Sequence, residues 1–218
     1  MKNQYIEELI DIDMEHIETE VKFFIGNPSP LREKLISLGA ISSGNTFETN
    51  IRFEDKDKNL IKNKKLLRLR KDSKATLTFK SPPFNQDSRF KMLRELEVEV
   101  SDFSTTLNIL QSLGFIQEQR YEKWREVFVL KEIDFCMDQM PFGNFLEIEG
   151  QGDKIIEYAY LLGLDWEERI LLNYLELFDI LKKRLGFSFS DVTFENFRNL
   201  RHDFSEHFKT DKFRGETG

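Results

Sequence analysis

Apolar and polar residues alternate with a period of two in one short segment after another. Each such run predicts a strand with one oily face and one polar face. Residues 17–25 (IETEVKFFI) are the first. Asn27-Pro28-Ser29-Pro30 breaks the run and opens a helix, LREKLISLGA, stopped by Gly39. A strand follows at 46–53 (TFETNIRF), then a charged stretch over 54–65 that reads as a solvated loop. LLRLRKD and ATLTFKS meet at Asp72-Ser73 and predict a hairpin. A loop opens at Pro82-Pro83, and residues 94–100 (RELEVEV) alternate strictly. A helix over 104–114 ends at Gly114. Strands follow at 121–130 and 132–138, a turn at Met140-Pro141-Phe142-Gly143, and a last strand in NFLEIEG. Residues 153–163 and 168–185 read as helices. Past Gly186 comes a Phe-rich piece, more suited to a core or a lid than to a recognition box, and then a polar end. The pattern thus predicts one folded domain over 1–186 and a tail over 187–218 that docks in part.

Two stretches resemble each other. Glu18-Thr19-Glu20-Val21-Lys22 precedes a helix ending Ser37-Leu38-Gly39-Ala40, and Glu95-Leu96-Glu97-Val98-Glu99 precedes one ending Ser112-Leu113-Gly114-Phe115. Two β-α-β halves facing each other give a sheet of about eight strands.

Sorting each strand by parity separates the charges. Glu18, Glu20 and Lys22 share a face, as do Arg68 and Arg70, then Thr76, Thr78 and Lys80, then Glu95, Glu97 and Glu99. Lys123 and Arg125 share one with Tyr121, Asp134 and Asp138 with Cys136, and Glu147 with Glu149. The apolar faces are what amphipathic helices bury against, so the charged faces point away from the helices. For any single strand a solvated face is the plain reading. The whole set, with carboxylates or cations on nearly every strand, instead suggests a closed barrel with the charges inward, which also removes exposed sheet edges. Charges of both signs in an enclosed lumen need compensation: cations for the acids, a polyanion for the bases.

Composition narrows the chemistry. With 33% charged and 39% hydrophobic residues the chain reads as a soluble globular protein. It contains no apolar run of 18 residues, and its acidic start lacks the apolar segment of a secretion signal. The lone Cys136 excludes an internal disulfide and fits a reducing cytoplasm. The net charge of −7 argues against nucleic acid as a partner but leaves small anions open. Neither histidine nor cysteine offers a soft ligand set in the strands. The acids Glu18, Glu20, Glu95, Glu97, Asp138, Glu147 and Glu149 therefore point to Mg²⁺ or Mn²⁺. The bases Lys22, Arg68, Arg70, Lys80, Lys123 and Arg125 suit phosphate, and no glycine-rich phosphate loop competes with them.

The motifs in order, ETEVK at 18–22, LLRLR at 66–70, LTFK at 77–80, ELEVEV at 95–100, YEKWR at 121–125 and MDQMPFGNFLEIEG at 137–150, resemble the CYTH family, also called triphosphate tunnel metalloenzymes. The likeness runs over roughly 15–180 and reaches Leu172-Asn173-Tyr174-Leu175-Glu176-Leu177, similar to the aromatic-bearing C-terminal helix of bacterial members. It implies an α+β fold, a closed eight-stranded antiparallel β-barrel (a tunnel) with helices packed outside. It also implies Glu18, Glu20, Asp138, Glu147 and Glu149, with Glu95 and Glu97, as metal ligands. Lys22, Arg68, Arg70, Lys80, Lys123 and Arg125 become the triphosphate-binding bases, and Lys22, Glu20 and Glu97 the catalytic residues. Two departures stand out: Leu93 occupies a position where relatives often carry a base, and the second strand has Arg52 near where many carry a tyrosine. The implied activity is metal-dependent hydrolysis of an inorganic, thiamine or nucleoside triphosphate. The alternatives are class IV adenylate cyclase and a non-catalytic triphosphate-binding module. The partner is a small molecule, with no nucleic acid or membrane, and a homodimer is an allowed assembly.

Overall fold

The computed structural model describes residues 16–200 and 202–208. Eight strands run in chain order: β1 (Ile17–Ile25), β2 (Ile41–Glu54), β3 (Leu66–Lys71), β4 (Ala75–Ser81), β5 (Lys91–Val100), β6 (Ile116–Leu130), β7 (Ile133–Met140) and β8 (Gly143–Glu149). Helices α1 (Ser29–Ser37), α2 (Asn59–Lys62), α3 (Phe103–Ser112), α4 (Gly152–Leu162), α5 (Tyr174–Leu185) and α6 (Phe194–Phe197) are interleaved with and follow them. The strands hydrogen-bond in the order β1-β5-β4-β3-β2-β6-β7-β8, and β8 returns antiparallel to β1, so the sheet closes. The order sets β1 beside β5 and β2 beside β6. None of the described helices is long and apolar enough to cross a membrane.

Packing divides the chain into two compact units. The first joins residues up to Thr19 with Asn50–Gln119; the second joins Glu20–Thr49 with Arg120 onward. In the first, β3 pairs with β4 and β4 with β5, with Leu67 opposite Phe79 and Phe79 opposite Leu96. Ile51, Phe53, Leu67 and Leu69 form a buried cluster with Leu110 of α3, and Leu107 and Phe103 pack against it. The Asp102 carboxylate caps α3, accepting from the Thr105 amide at 2.6 Å. Because α3 occupies the leucine side of β3, alternation turns Arg68 and Arg70 to the opposite face. Residues 54–65 are not wholly a solvated loop: they contain α2, whose Leu60 and Ile61 amides donate to the buried Glu54 carboxylate at 2.9 and 2.8 Å. An acid at a helix start satisfies amides that have no partner within the helix.

In the second unit α4 buries Ile155, Tyr158, Ala159 and Leu162. The helix predicted over 168–185 begins only at Tyr174. Trp166–Glu168 form a 3₁₀ turn, and Ile170 exchanges backbone hydrogen bonds with Lys22 at 3.1 and 2.7 Å. Asn173 then accepts from the Leu175 and Glu176 amides while Glu176 reaches back to the Asn173 amide, a capping box that fixes the first turn of α5. The sequence pattern missed this start because Arg169-Ile170-Leu171-Leu172 continues the apolar period across an extended segment.

The Phe-rich stretch packs on this unit. Phe187, Phe189 and Phe197 lie 6.2, 5.8 and 6.1 Å from Phe178 of α5, centroid to centroid. Phe204 and Phe208 are buried in the same cluster, with Phe142, Phe145 and Tyr174. Val192 runs parallel to β6, its amide donating to the Arg120 carbonyl at 2.8 Å and its carbonyl accepting from the Glu122 amide at 2.9 Å. The β6–β7 ladder reaches only to the Trp124–Gln139 pair, so the backbone groups at 120–122 need this other partner.

Candidate functional site

In the second unit, strand alternation collects Lys22, Lys123, Arg125, Asp138 and Glu147 on one face. Register sets Arg125 opposite Asp138 and Lys22 opposite Glu147. Arg125 forks onto Asp138 at 2.7 and 2.5 Å and also pairs with Glu147. Lys22 Nζ lies 2.5 Å from Glu147, and Lys123 Nζ lies 3.0 Å from Asp138 and 3.6 Å from Glu48. Tyr174, at the first position of α5, donates its hydroxyl to Asp138 at 2.7 Å. Its ring lies under both ammonium groups, 4.1 Å from that of Lys22 and 5.5 Å from that of Lys123. The Asp138 side chain is wholly buried, and Arg125, Lys123 and Tyr174 supply the hydrogen-bond donors that a buried carboxylate needs.

The shifts in this cluster follow from burial and charge together. Burial and the Arg125 charge push Lys123 down, but Asp138, Glu48 and Glu147 outweigh them and hold its pKa above the ordinary lysine value. Burial also opposes the charge on Arg125, and Asp138 and Glu147 override it. Burial raises the Tyr174 phenol well above its usual range, and the charges of Asp138 and Glu147 raise it further, so it remains a donor.

Sequence parity found neither Glu48 nor Tyr174. The same alternation runs through β2, where Glu48, Asn50, Arg52 and Glu54 are all buried, and applying the rule there finds Glu48. Tyr174 comes from a helix start, so no strand rule reaches it.

In the first unit, Lys80 pairs with Glu18 and lies 2.8 Å from Glu95. Arg68 lies 3.7 Å from Glu95 and 3.6 Å from Glu97, and donates to Thr78 at 3.2 Å. Thr78 in turn donates to Glu97 at 2.8 Å, and Arg70 reaches Glu97 and Asp72, each at 3.3 Å. Glu99, on the same parity, instead makes an exposed pair with Lys74 at 2.9 Å. Each predicted base is therefore paired with an acid of its own unit.

A third group lies on the paired strands β1 and β8. Glu18, Glu20 and Glu149 each present a carboxylate oxygen, all within 4.8 Å of one another, and Glu20 is directly opposite Glu149 in the register. Gly150 follows, where a Cβ would run into the Ile133 side chain and φ is +149°. Three carboxylates this close repel one another, and a hard divalent cation relieves that repulsion with all-oxygen ligation, so this donor set fits Mg²⁺ or Mn²⁺. Asp138, Glu147, Glu95 and Glu97 lie with the bases instead. Cys136, 2% exposed, directs its thiol to Glu149 at 3.6 Å, and burial raises its pKa far above the usual thiol value. At pH 8 it is expected to resist iodoacetamide in the folded protein and to react once urea unfolds the chain, as read by mass spectrometry.

A family model described as the CYTH domain matches residues 16–163. A Methanocaldococcus jannaschii protein, provisionally named an adenylate cyclase, is 28% identical over 173 residues, covering 74% of this chain and 98% of its own length. A solved Pyrococcus horikoshii protein is 30% identical with a TM-score of 0.63, the match covering 73% of this chain and 98% of that one. A Hippeastrum protein, provisionally named an adenylyl cyclase and described as having a dominant triphosphatase activity, superposes with a TM-score of 0.54 at 16% identity. That match covers 80% of this chain and 97% of the other. At that identity the last likeness carries the fold alone.

Proposed function

The chain belongs to the CYTH domain family, and from that membership we propose that it is a divalent-metal hydrolase of an inorganic, thiamine or nucleoside triphosphate. The observation that carries the reading is the set of enclosed bases. Lys22, Arg68, Lys80 and Lys123 are buried, and every one of them is paired with a carboxylate. A core built for stability alone gains little from such pairs, since apolar residues of equal volume do as well or better. Bases held ready at this cost suit a polyanion.

In this reading Lys22, Arg68, Arg70, Lys80, Lys123 and Arg125 bind the phosphate chain, with arginine giving forked contacts. Hydrolysis adds water to a terminal phosphorus, breaks its bond to the bridging oxygen and leaves charge on that oxygen. Lys22 neutralises the charge, and Glu20 or Glu97 orients the water and accepts its proton. Glu18, Glu20 and Glu149, with Asp138, Glu147, Glu95 and Glu97 as the remaining acids of the set, would hold Mg²⁺ or Mn²⁺, which supplies Lewis-acid charge to phosphate oxygens. The catalytic domain spans residues 1–186, with 187–218 appended to it. The protein works in the cytoplasm on a small-molecule substrate, alone or as a homodimer.

The name of the Methanocaldococcus jannaschii relative favours a second reading, adenylate cyclase, in which the ribose 3′-hydroxyl attacks the α-phosphorus and pyrophosphate leaves. The same bases and acids serve it. A binding module without chemistry is the third reading, and the acid set counts against it, because holding an anion does not require carboxylates. The test is a product assay with tripolyphosphate, thiamine triphosphate and ATP, each with Mg²⁺ or Mn²⁺. Release of phosphate is the expected result. Cyclic AMP with pyrophosphate would establish the cyclase, and tight binding without turnover the module; either would overturn the hydrolase.

A further inference from the structure

We infer that Tyr174 is a positioning residue of this site, its hydroxyl fixing Asp138 and its ring face seating the ammonium groups of Lys22 and Lys123. The inference rests on the reading of those lysines as phosphate-binding bases. A buried tyrosine needs a partner for its hydroxyl, and a core tyrosine could meet that need anywhere. Here the partner is the carboxylate that also takes Arg125 and Lys123, at 2.7 Å from the hydroxyl. Two ammonium groups lie over the ring, at 4.1 and 5.5 Å, one from strand β1 and one from β6. One side chain therefore touches three members of the cluster on three different strands.

The chemistry of the ring suits this task. A carboxylate in its place would also hold the lysines, but its charge would repel an arriving phosphate. The aromatic face attracts an ammonium through its quadrupole and carries no net charge. The ring is itself held, with Phe145 edge-on at 5.3 Å and the capping box of Asn173 and Glu176 fixing the helix start it belongs to. The segment past the family match contributes here, since Phe187, Phe189 and Phe197 pack on Phe178 one turn further along α5.

Tyr174→Phe and Tyr174→Leu separate the two functions. Kinetics are measured on the substrate that the wild-type protein turns over, and tripolyphosphate affinity on metal-free protein by calorimetry. Thermal melting checks folding. Tyr174→Phe keeps the ring and loses the hydroxyl: kcat is expected to fall about tenfold, the scale seen when an outer hydrogen bond to a site carboxylate is removed, with KM and metal-free affinity little changed. Tyr174→Leu loses both, and KM and the metal-free dissociation constant should also rise about thirtyfold, the scale of one desolvated cation–π contact. A merely structural tyrosine would leave kcat untouched in the folded Tyr174→Phe variant. Wild-type kcat in Tyr174→Phe, or unchanged KM and metal-free affinity in a folded Tyr174→Leu, overturns the inference while leaving the hydrolase intact. A wild-type protein that neither binds nor turns over any triphosphate overturns both.

Discussion

Asp138→Asn is expected to lower the stability of the metal-free protein by about 3–5 kcal/mol, measured by urea unfolding at pH 7, because it removes one partner from a buried ion cluster and strands the others. Arg125, Lys123 and Tyr174 all point donors at this carboxylate. An amide of the same shape presents one acceptor oxygen and two further donors to them, so at least one donor meets another donor in a buried setting. The comparison is Glu99→Gln, which breaks an exposed pair with Lys74 and should leave stability close to that of the wild type. The contribution of Lys123 to the stability of the wild-type protein should also be flat between about pH 7 and 9. Lys123 has its pKa raised in the fold, and a raised pKa contributes stability that is complete below the unfolded value near 10.4 and is lost only as pH climbs through the folded one. Added tripolyphosphate should restore part of the loss by giving the stranded cations a new counter-charge. A loss under about 1 kcal/mol would mean that the cluster is open to water rather than enclosed.

The same cluster marks how far the sequence could be read. Lys22, Lys123, Arg125, Asp138 and Glu147 are legible because a strand has a side-chain period of two, so residues two apart share a face whatever the tertiary fold. Closure was inferable because nearly every strand carries charge on one parity and helices need the other. Pairing was less legible. Parity states which side chains share a face but not their register, and register decides that Glu97 meets Thr78, Arg68 and Arg70 while Glu99 goes to the surface with Lys74. Nor does parity say which acids neutralise bases and which crowd together. Glu18, Glu20 and Glu149 converge through the pairing of β1 with β8, strands far apart in sequence. Tyr174 was hidden for another reason. Asn173 ends an extended segment that keeps a helical apolar period, so the start of α5 is set by side-chain capping and not by hydrophobic spacing.

Glu20→Gln and Glu149→Gln are each expected to reduce turnover and Mn²⁺ affinity by at least about a hundredfold, the upper end of what outer partners alone cost, while leaving the fold intact. Turnover is read at saturating substrate and affinity by the electron paramagnetic resonance of free Mn²⁺. The sign of the stability change separates a ligand from a structural acid. The carboxylates converge within 4.8 Å and glutamine keeps the volume of the side chain it replaces, so the metal-free variants should melt close to the wild-type temperature. Only in the presence of Mn²⁺ should they melt below it, because the wild-type protein gains the binding energy of the ion and the variants do not. Since Glu20 and Glu149 lie opposite each other, the double variant should lose little more than either single one, as expected of residues that act on one ion. Wild-type turnover and Mn²⁺ affinity in both single variants would remove these carboxylates from the site. A lower melting temperature without metal would make them structural.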